Sequence, residues 1–328
     1  MHSLVIAALV AATITPANGL PATDREITFQ SDGITAYGTL HVPAHKRGDR
    51  LAAALLLPGS GPTDRNGNQL PAFGPNTLSL LADALGQDGI VTFRFDKYGS
   101  GPTRTLPPAG TDYGVFIRQA DAAYAALAAQ PETNPHAMLV VGHSEGGMNA
   151  LLVDTSVRPK PAGLALLAPQ DERILDLIDL QLGEQLDAAL PADQAAAQKT
   201  LVATAIADYR AGKPVSTDGM LPPIAQLFQV LLAQGDYLRT DDIIYPPDVA
   251  RRVPAGTRVL VTCGTADTNV PCDTTPPLLQ ALHGEHLSVL DGIDHLFHPA
   301  GSPPDAEPLA PALITALHQW DHPWSRRP

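Results

Sequence analysis

The stretch VVGHSEGGMN, residues 140–149, places a serine between two glycines, each two positions away, directly behind the apolar run 137–142. Gly142-His143-Ser144-Glu145-Gly146 fits G-x-S-x-G, a pattern whose chemistry depends on its context. With a strand before it and a helix after it, the glycines permit a turn tight enough to strain the serine backbone and lift its hydroxyl clear of a sheet. The alternative is a plain glycine-rich turn, and the rest of the chain decides between them.

Working outward, apolar β-type stretches alternate with helical ones. Residues 26–30 and 34–43 read as an opening antiparallel pair. Residues 51–58, 89–96, 137–142, 162–169 and 257–264 read as buried strands, and 286–292 as a last one. Near-continuous apolar runs belong to parallel strands covered on both faces. Helices are expected over 76–87, 113–129, 146–157 and 305–320. The predicted fold class is therefore α/β, with a mostly parallel eight-stranded sheet carrying helices on both faces. The interval 171–253 breaks the rhythm. It has no buried strand, and its Ala/Leu/Gln/Asp-rich segments at helical spacing are punctuated by Pro191, Pro214, Pro222-Pro223 and Pro246-Pro247. It reads as a helical cap inserted between core segments 20–170 and 254–328.

With 328 residues, 44% of them hydrophobic, the chain can bury a large core. A formal net charge of −13 argues against nucleic acid and anionic membrane surfaces as partners. Residues 1–19 contain an apolar run from Leu4 to Ile14 and the small-residue site Ala17-Asn18-Gly19. They read as a secretory signal peptide, so export is expected; the lack of a basic front end leaves a mis-called start, with a cytoplasmic chain, or a membrane-tethered N-terminus as the alternatives. That run is too short to span a bilayer comfortably, and no later segment suggests stable membrane insertion.

A serine hydroxyl becomes a useful nucleophile only when a histidine accepts its proton and a carboxylate fixes the histidine's tautomer. Asp267 follows the strand at 257–264, and His295 follows the last strand. Asp294 competes for the acid role, and His283, His286 and His298 for the base, although their positions suit turn, surface or packing roles. These four histidines lack H-E-x-x-H or any other diagnostic metal spacing, so no metal is expected. The oxyanion hole needs two aimed backbone N–H groups. One is expected from Glu145 and the other from Ser60, in the loop GSGPTDRNGNQ after the strand at 51–58. Gly59, Gly61, Arg65 and His143 are candidate substrate contacts, with an ion pair holding the loop as the alternative role for Arg65.

Taken together, PGSGPTDRNG (58–67), RFDKYGSG (94–101), GHSEGG (142–147), GTADTNVP (264–271) and DHLF (294–297) resemble the α/β-hydrolase superfamily, and more narrowly its exported bacterial carboxylesterases. The order Ser144, Asp267, His295 is that of the α/β-hydrolase fold, with the cap falling before the acid. The resemblance implies cofactor-free hydrolysis of a small-molecule ester through an acyl-enzyme. Pro58 stands where many relatives have histidine, and Tyr98 where arginine is common. A peptidase, a thioesterase or a non-catalytic binding protein could use the same frame, because fold and triad do not choose the leaving group. Cys263 and Cys272 bracket Asp267, either as a disulfide fixing the acid loop or as two unrelated thiols.

Overall fold

The computed structural model describes residues 19–326 apart from 109, 284 and 307. The expected signal peptide therefore lies outside the described residues, except for Gly19. Eight strands form one sheet: β1 (Thr23–Ser31), β2 (Ile34–Val42), β3 (Leu51–Leu57), β4 (Val91–Phe95), β5 (Thr133–His143), β6 (Gly163–Leu167), β7 (Arg258–Gly264) and β8 (Glu285–Leu290). Their spatial order is β8-β7-β6-β5-β3-β4-β2-β1. The β1–β2 and β2–β4 pairings are antiparallel, and those from β4 through β8 are parallel. A second pair, Gly19–Leu20 against His45–Lys46, has too few apolar residues to be read from sequence.

The central strands bury both faces, and alternate side chains feed two separate cores. On one face Ala53, Leu55, Leu57, Val140 and Leu164 pack against α2 (Gly114–Ala128) and α3 (Glu145–Ser156). On the other, Ala54, Leu56, Leu139 and Val141 meet α1 (Thr77–Gln87) and the C-terminal helix at Pro311–Asp321. Leu78, Leu81, Ala82 and Leu85 repeat at helical spacing and form the buried stripe of α1. The C-terminal helix starts at Pro311 rather than at the expected residue 305. Proline's fixed φ suits the first helical turn, and its missing N–H would break a helix already under way.

Between β6 and β7 run five helices: α4 (Ile174–Ala189), α5 (Ala192–Arg210), α6 (Pro222–Ala233), α7 (Asp236–Asp242) and α8 (Pro246–Ala250). Pro191, Pro222-Pro223 and Pro246-Pro247 sit at or beside the starts of α5, α6 and α8, whereas Pro214 lies in the connection between α5 and α6. Leu175, Leu186, Val202, Ile206, Phe228 and Leu238 make a third apolar cluster, separate from the sheet cores. Arg210 fastens it by pairing with Asp242 at 2.8 Å and Asp176 at 2.7 Å. Two hydrogen bonds tie these helices to the sheet side: Tyr113 N–H to Thr240 Oγ1 at 2.8 Å, and Gln181 Nε2 to the Asn269 carbonyl at 2.6 Å. Among the described residues, no helix is long and apolar enough to cross a membrane.

Candidate active site

Ser144 occupies the turn between β5 and α3 with φ 57° and ψ −124°, a backbone state that a side-chain-bearing residue adopts only under constraint. The constraint is steric and explains both flanking glycines. A Cβ on Gly142 would lie 1.9 Å from the Gly146 carbonyl oxygen, and one on Gly146 would lie 2.2 Å from the Leu57 carbonyl oxygen. No side chain fits where β3, β5 and α3 touch backbone to backbone. The Ser144 N–H donates to the Leu167 carbonyl, and its own carbonyl accepts from Gln170 N–H, both at 3.0 Å.

Asp267 and His295 come together from the loops after β7 and β8. Ala266 N–H donates to the Ile293 carbonyl at 3.1 Å, and Thr265 N–H to the Leu290 carbonyl at 3.0 Å. Asp267 Oδ1 accepts the N–H groups of Asn269 at 2.8 Å and Val270 at 2.9 Å. Its Oδ2 then accepts from His295 Nδ1 at 2.7 Å. That bond assigns the proton to Nδ1 and leaves the lone pair on Nε2. His295 and Ser144 line one cavity of about 1220 Å³. Asp294 is spent on its own turn, accepting from the N–H groups of Leu296 and His298. His283 and His286 are exposed, and His298 is buried.

Cys263 at the end of β7 is bonded to Cys272. The bridge closes the segment that carries Asp267, and a loop this short is worth somewhat under about 3 kcal/mol in the chain-entropy description.

His143 is buried and donates from Nε2 to the His295 carbonyl at 2.9 Å. Its ring centroid lies 4.8 Å from that of His295. Burial, with the His295 ring beside it, lowers its pKa to about 3, so it stays neutral. Although it lines the cavity, its polar edge is occupied by the histidine loop.

The loop after β3 runs beside the serine. A methyl placed on Gly59 would come within 3.3 Å of Ser144 Cβ. The Gly59 carbonyl accepts from Lys97 Nζ at 3.1 Å, and the Ser60 carbonyl from Gln69 Nε2 at 2.8 Å and Thr63 Oγ1 at 2.9 Å. Gly59, Ser60, Gly61 and Glu145 line the cavity. Among the described residues, neither Ser60 nor Glu145 has its backbone N–H bonded to another protein group.

Arg65 departs from the substrate-contact expectation. Its Nη2 lies 2.6 Å from Asp96 Oδ2, its Nε donates to both Asp96 oxygens at 3.1 Å, and Nη1 reaches Glu26 and Thr39. Asp96 is buried, so leaving its carboxylate unpaired would be expensive. The guanidinium is therefore drawn away from the cavity to brace the loop after β4. Lys97, in that same loop, does line the cavity and is not among the residues singled out from the sequence.

The residues 54–310 match the model of the Alpha/beta hydrolase family. The chain belongs to that family. The hydrolase shares its fold with the esterase domain of a Rhodothermus marinus protein (18% identity, 92% of this chain and 99% of that one, TM-score 0.54). It is likewise similar to the Pyrococcus furiosus esterase Pf2001 (14%, 93% and 92%, TM-score 0.57). Proline iminopeptidase of Mycobacterium smegmatis is a third structural relative (18%, 91% and 99%, TM-score 0.57). No curated protein matches the chain significantly in sequence.

One buried carboxyl beside the acid loop gives the hydrolase a pH signature. Asp171, just after β6, accepts from Thr274 Oγ1 at 3.0 Å, while its Oδ1 has no partner among the described residues. Burial raises its pKa from 3.8 to about 7, partly opposed by the Thr274 hydrogen bond. Between those values the folded chain holds a proton that the unfolded chain has released. Stability from this group is thus full below about pH 4 and is lost as pH rises to about 7. Asp171→Asn should unfold several degrees higher than the parent at pH 8, with the gap closing at pH 4.5. Thermal melts showing one constant difference at both pH values would refute this.

Proposed function

We propose that the protein is a serine carboxylic ester hydrolase. The observation that carries this reading is the 2.7 Å Asp267–His295 hydrogen bond, on the wall of the cavity into which the strained Ser144 opens. In this reading Ser144 Oγ attacks the ester carbonyl carbon as His295 Nε2 takes its proton. The resulting oxyanion accepts from the Ser60 and Glu145 N–H groups. Collapse breaks the ester bond, His295 protonates the departing alkoxide, and water repeats the sequence to free the acid. Asp267 stays ionised, holding the imidazole tautomer and stabilising the imidazolium. Ile174, Leu177, Ile178, Leu231, Tyr237 and Leu238 from the inserted helices line the cavity, which suits a small to medium acyl chain. On this reading residues 171–253 act as a cap that sets substrate choice. The reading also includes export, with residues 1–19 as the signal and the Cys263–Cys272 bond suited to an oxidising compartment.

The test is a fluorophosphonate probe with peptide mapping, run beside turnover of p-nitrophenyl esters and aminoacyl amides. Labelling at Ser144 with ester turnover is expected. A folded sample that neither labels nor turns over esters defeats the proposal, and amide turnover without ester turnover would redirect it to a peptidase.

A further inference from the structure

Lys97 is buried in the loop after β4, with its side chain only 4% exposed. Its ammonium makes two hydrogen bonds to parts of the site that are far apart in the chain. Nζ donates to the Gly59 carbonyl at 3.1 Å and to Glu145 Oε1 at 2.8 Å, and it sits 4.8 Å from the centre of the Phe116 ring. The loop itself is fixed: Lys97 N–H donates to the Thr63 carbonyl at 3.2 Å, and the Lys97 carbonyl accepts from Ser100 N–H at 3.0 Å.

The Gly59 carbonyl belongs to the same peptide unit as the Ser60 N–H. The cis bonds among the described residues are Leu70–Pro71 and Arg158–Pro159, so this unit is trans. In a planar trans peptide, C=O and N–H point in opposite directions. Holding the carbonyl toward Lys97 therefore aims the Ser60 N–H away from it. The other bond grips the side chain of Glu145, the first residue of α3, whose backbone N–H lies next to Ser144. Glu145 is braced from behind: Asn149 Nδ2 reaches Oε1 at 3.4 Å, and Tyr113 OH donates to Asn149 Oδ1 at 2.6 Å.

We propose that Lys97 is a positioning residue that sets the geometry of the oxyanion hole, its ammonium fixing both N–H donors relative to one another. The proposal rests on the serine-hydrolase reading above, with Ser60 and Glu145 as donors. Small errors in aim matter because the hole must match the position of the developing oxyanion rather than that of the substrate carbonyl. Losing the clamp should therefore depress kcat while leaving KM nearly unchanged.

Lys97→Met leaves the Glu145 carboxylate buried without its cation, a change that can unfold a protein. The double variant Lys97→Met/Glu145→Gln removes the pair together and keeps the experiment decisive. Both should lose about 10- to 100-fold in kcat on p-nitrophenyl acetate, less than the roughly 10²- to 10³-fold for deleting an oxyanion donor outright. KM should stay within about threefold, and Lys97→Arg should recover part of the loss. The Ki of a trifluoromethyl ketone, whose serine adduct places an oxyanion in the hole, should rise by the same factor as kcat falls. A purely structural role would not produce that proportionality. A folded double variant with parental kcat and parental ketone Ki overturns the clamp. Failure of the parent protein to bind the ketone or label at Ser144 instead defeats the underlying reading.

Discussion

Asp267→Asn is expected to lower kcat about 10⁴-fold while leaving KM and the melting temperature nearly unchanged. The magnitude follows from the tautomer reversal seen in such triads, and the local hydrogen bonds say which way the new amide will turn. The Oδ1 position is a double acceptor site, facing the N–H groups of Asn269 and Val270. An asparagine must put its carbonyl oxygen there, which leaves its NH₂ toward His295 Nδ1. The imidazole then accepts at Nδ1, carries its proton on Nε2, and presents Ser144 with a donor where a base is needed. Steady-state kinetics on a chromogenic ester, alongside a thermal melt, measure both halves. Retention of more than about a tenth of the parental kcat would mean that Asp267 does not set the tautomer.

Gly146→Ala should cost several kcal/mol and leave little soluble folded protein. The added methyl would sit 2.2 Å from the Leu57 carbonyl oxygen and 2.7 Å from that of Pro58. Both are backbone atoms at the end of a central strand, so no rotamer change relieves the overlap. Gly183→Ala is the matched control. Gly183 lies within α4, where the new methyl would find only the flexible Lys199 side chain at 3.6 Å. Removing a glycine from a helix interior should stabilise by roughly 0.5–1 kcal/mol. Chemical denaturation of the two variants should move the midpoint in opposite directions. A soluble Gly146→Ala with a parental midpoint would contradict the backbone packing described for the turn.

What could be read from the chain reflects the range over which each constraint acts. Strand and helix positions were legible because burial imposes a local period, and the positions of Ser144, Asp267 and His295 because each follows a strand end. Arg65 and Lys97 were not legible. Their partners, Asp96 and Glu145, lie 31 and 48 residues away, and a cation in a loop carries no sign of which carboxylate it will meet. The Arg65 guanidinium turned from the cavity to Asp96, whereas Lys97, which nothing in the sequence marks out, reached into the site. Likewise, Pro311 decided where the last helix begins, though the apolar pattern alone allowed an earlier start.

The third apolar cluster, built from Leu175, Val202, Ile206, Phe228 and their neighbours, lies apart from both sheet cores. Energetically distant sites add nearly independently. The costs of substitutions within this cluster should therefore add nearly independently to those of substitutions around the elbow and the Asp267–His295 pair. The chain thus builds the wall of its cavity and the frame of its candidate triad from largely separate apolar clusters, with α8 alone of the five intervening helices contributing Val249 and Ala250 to a sheet core.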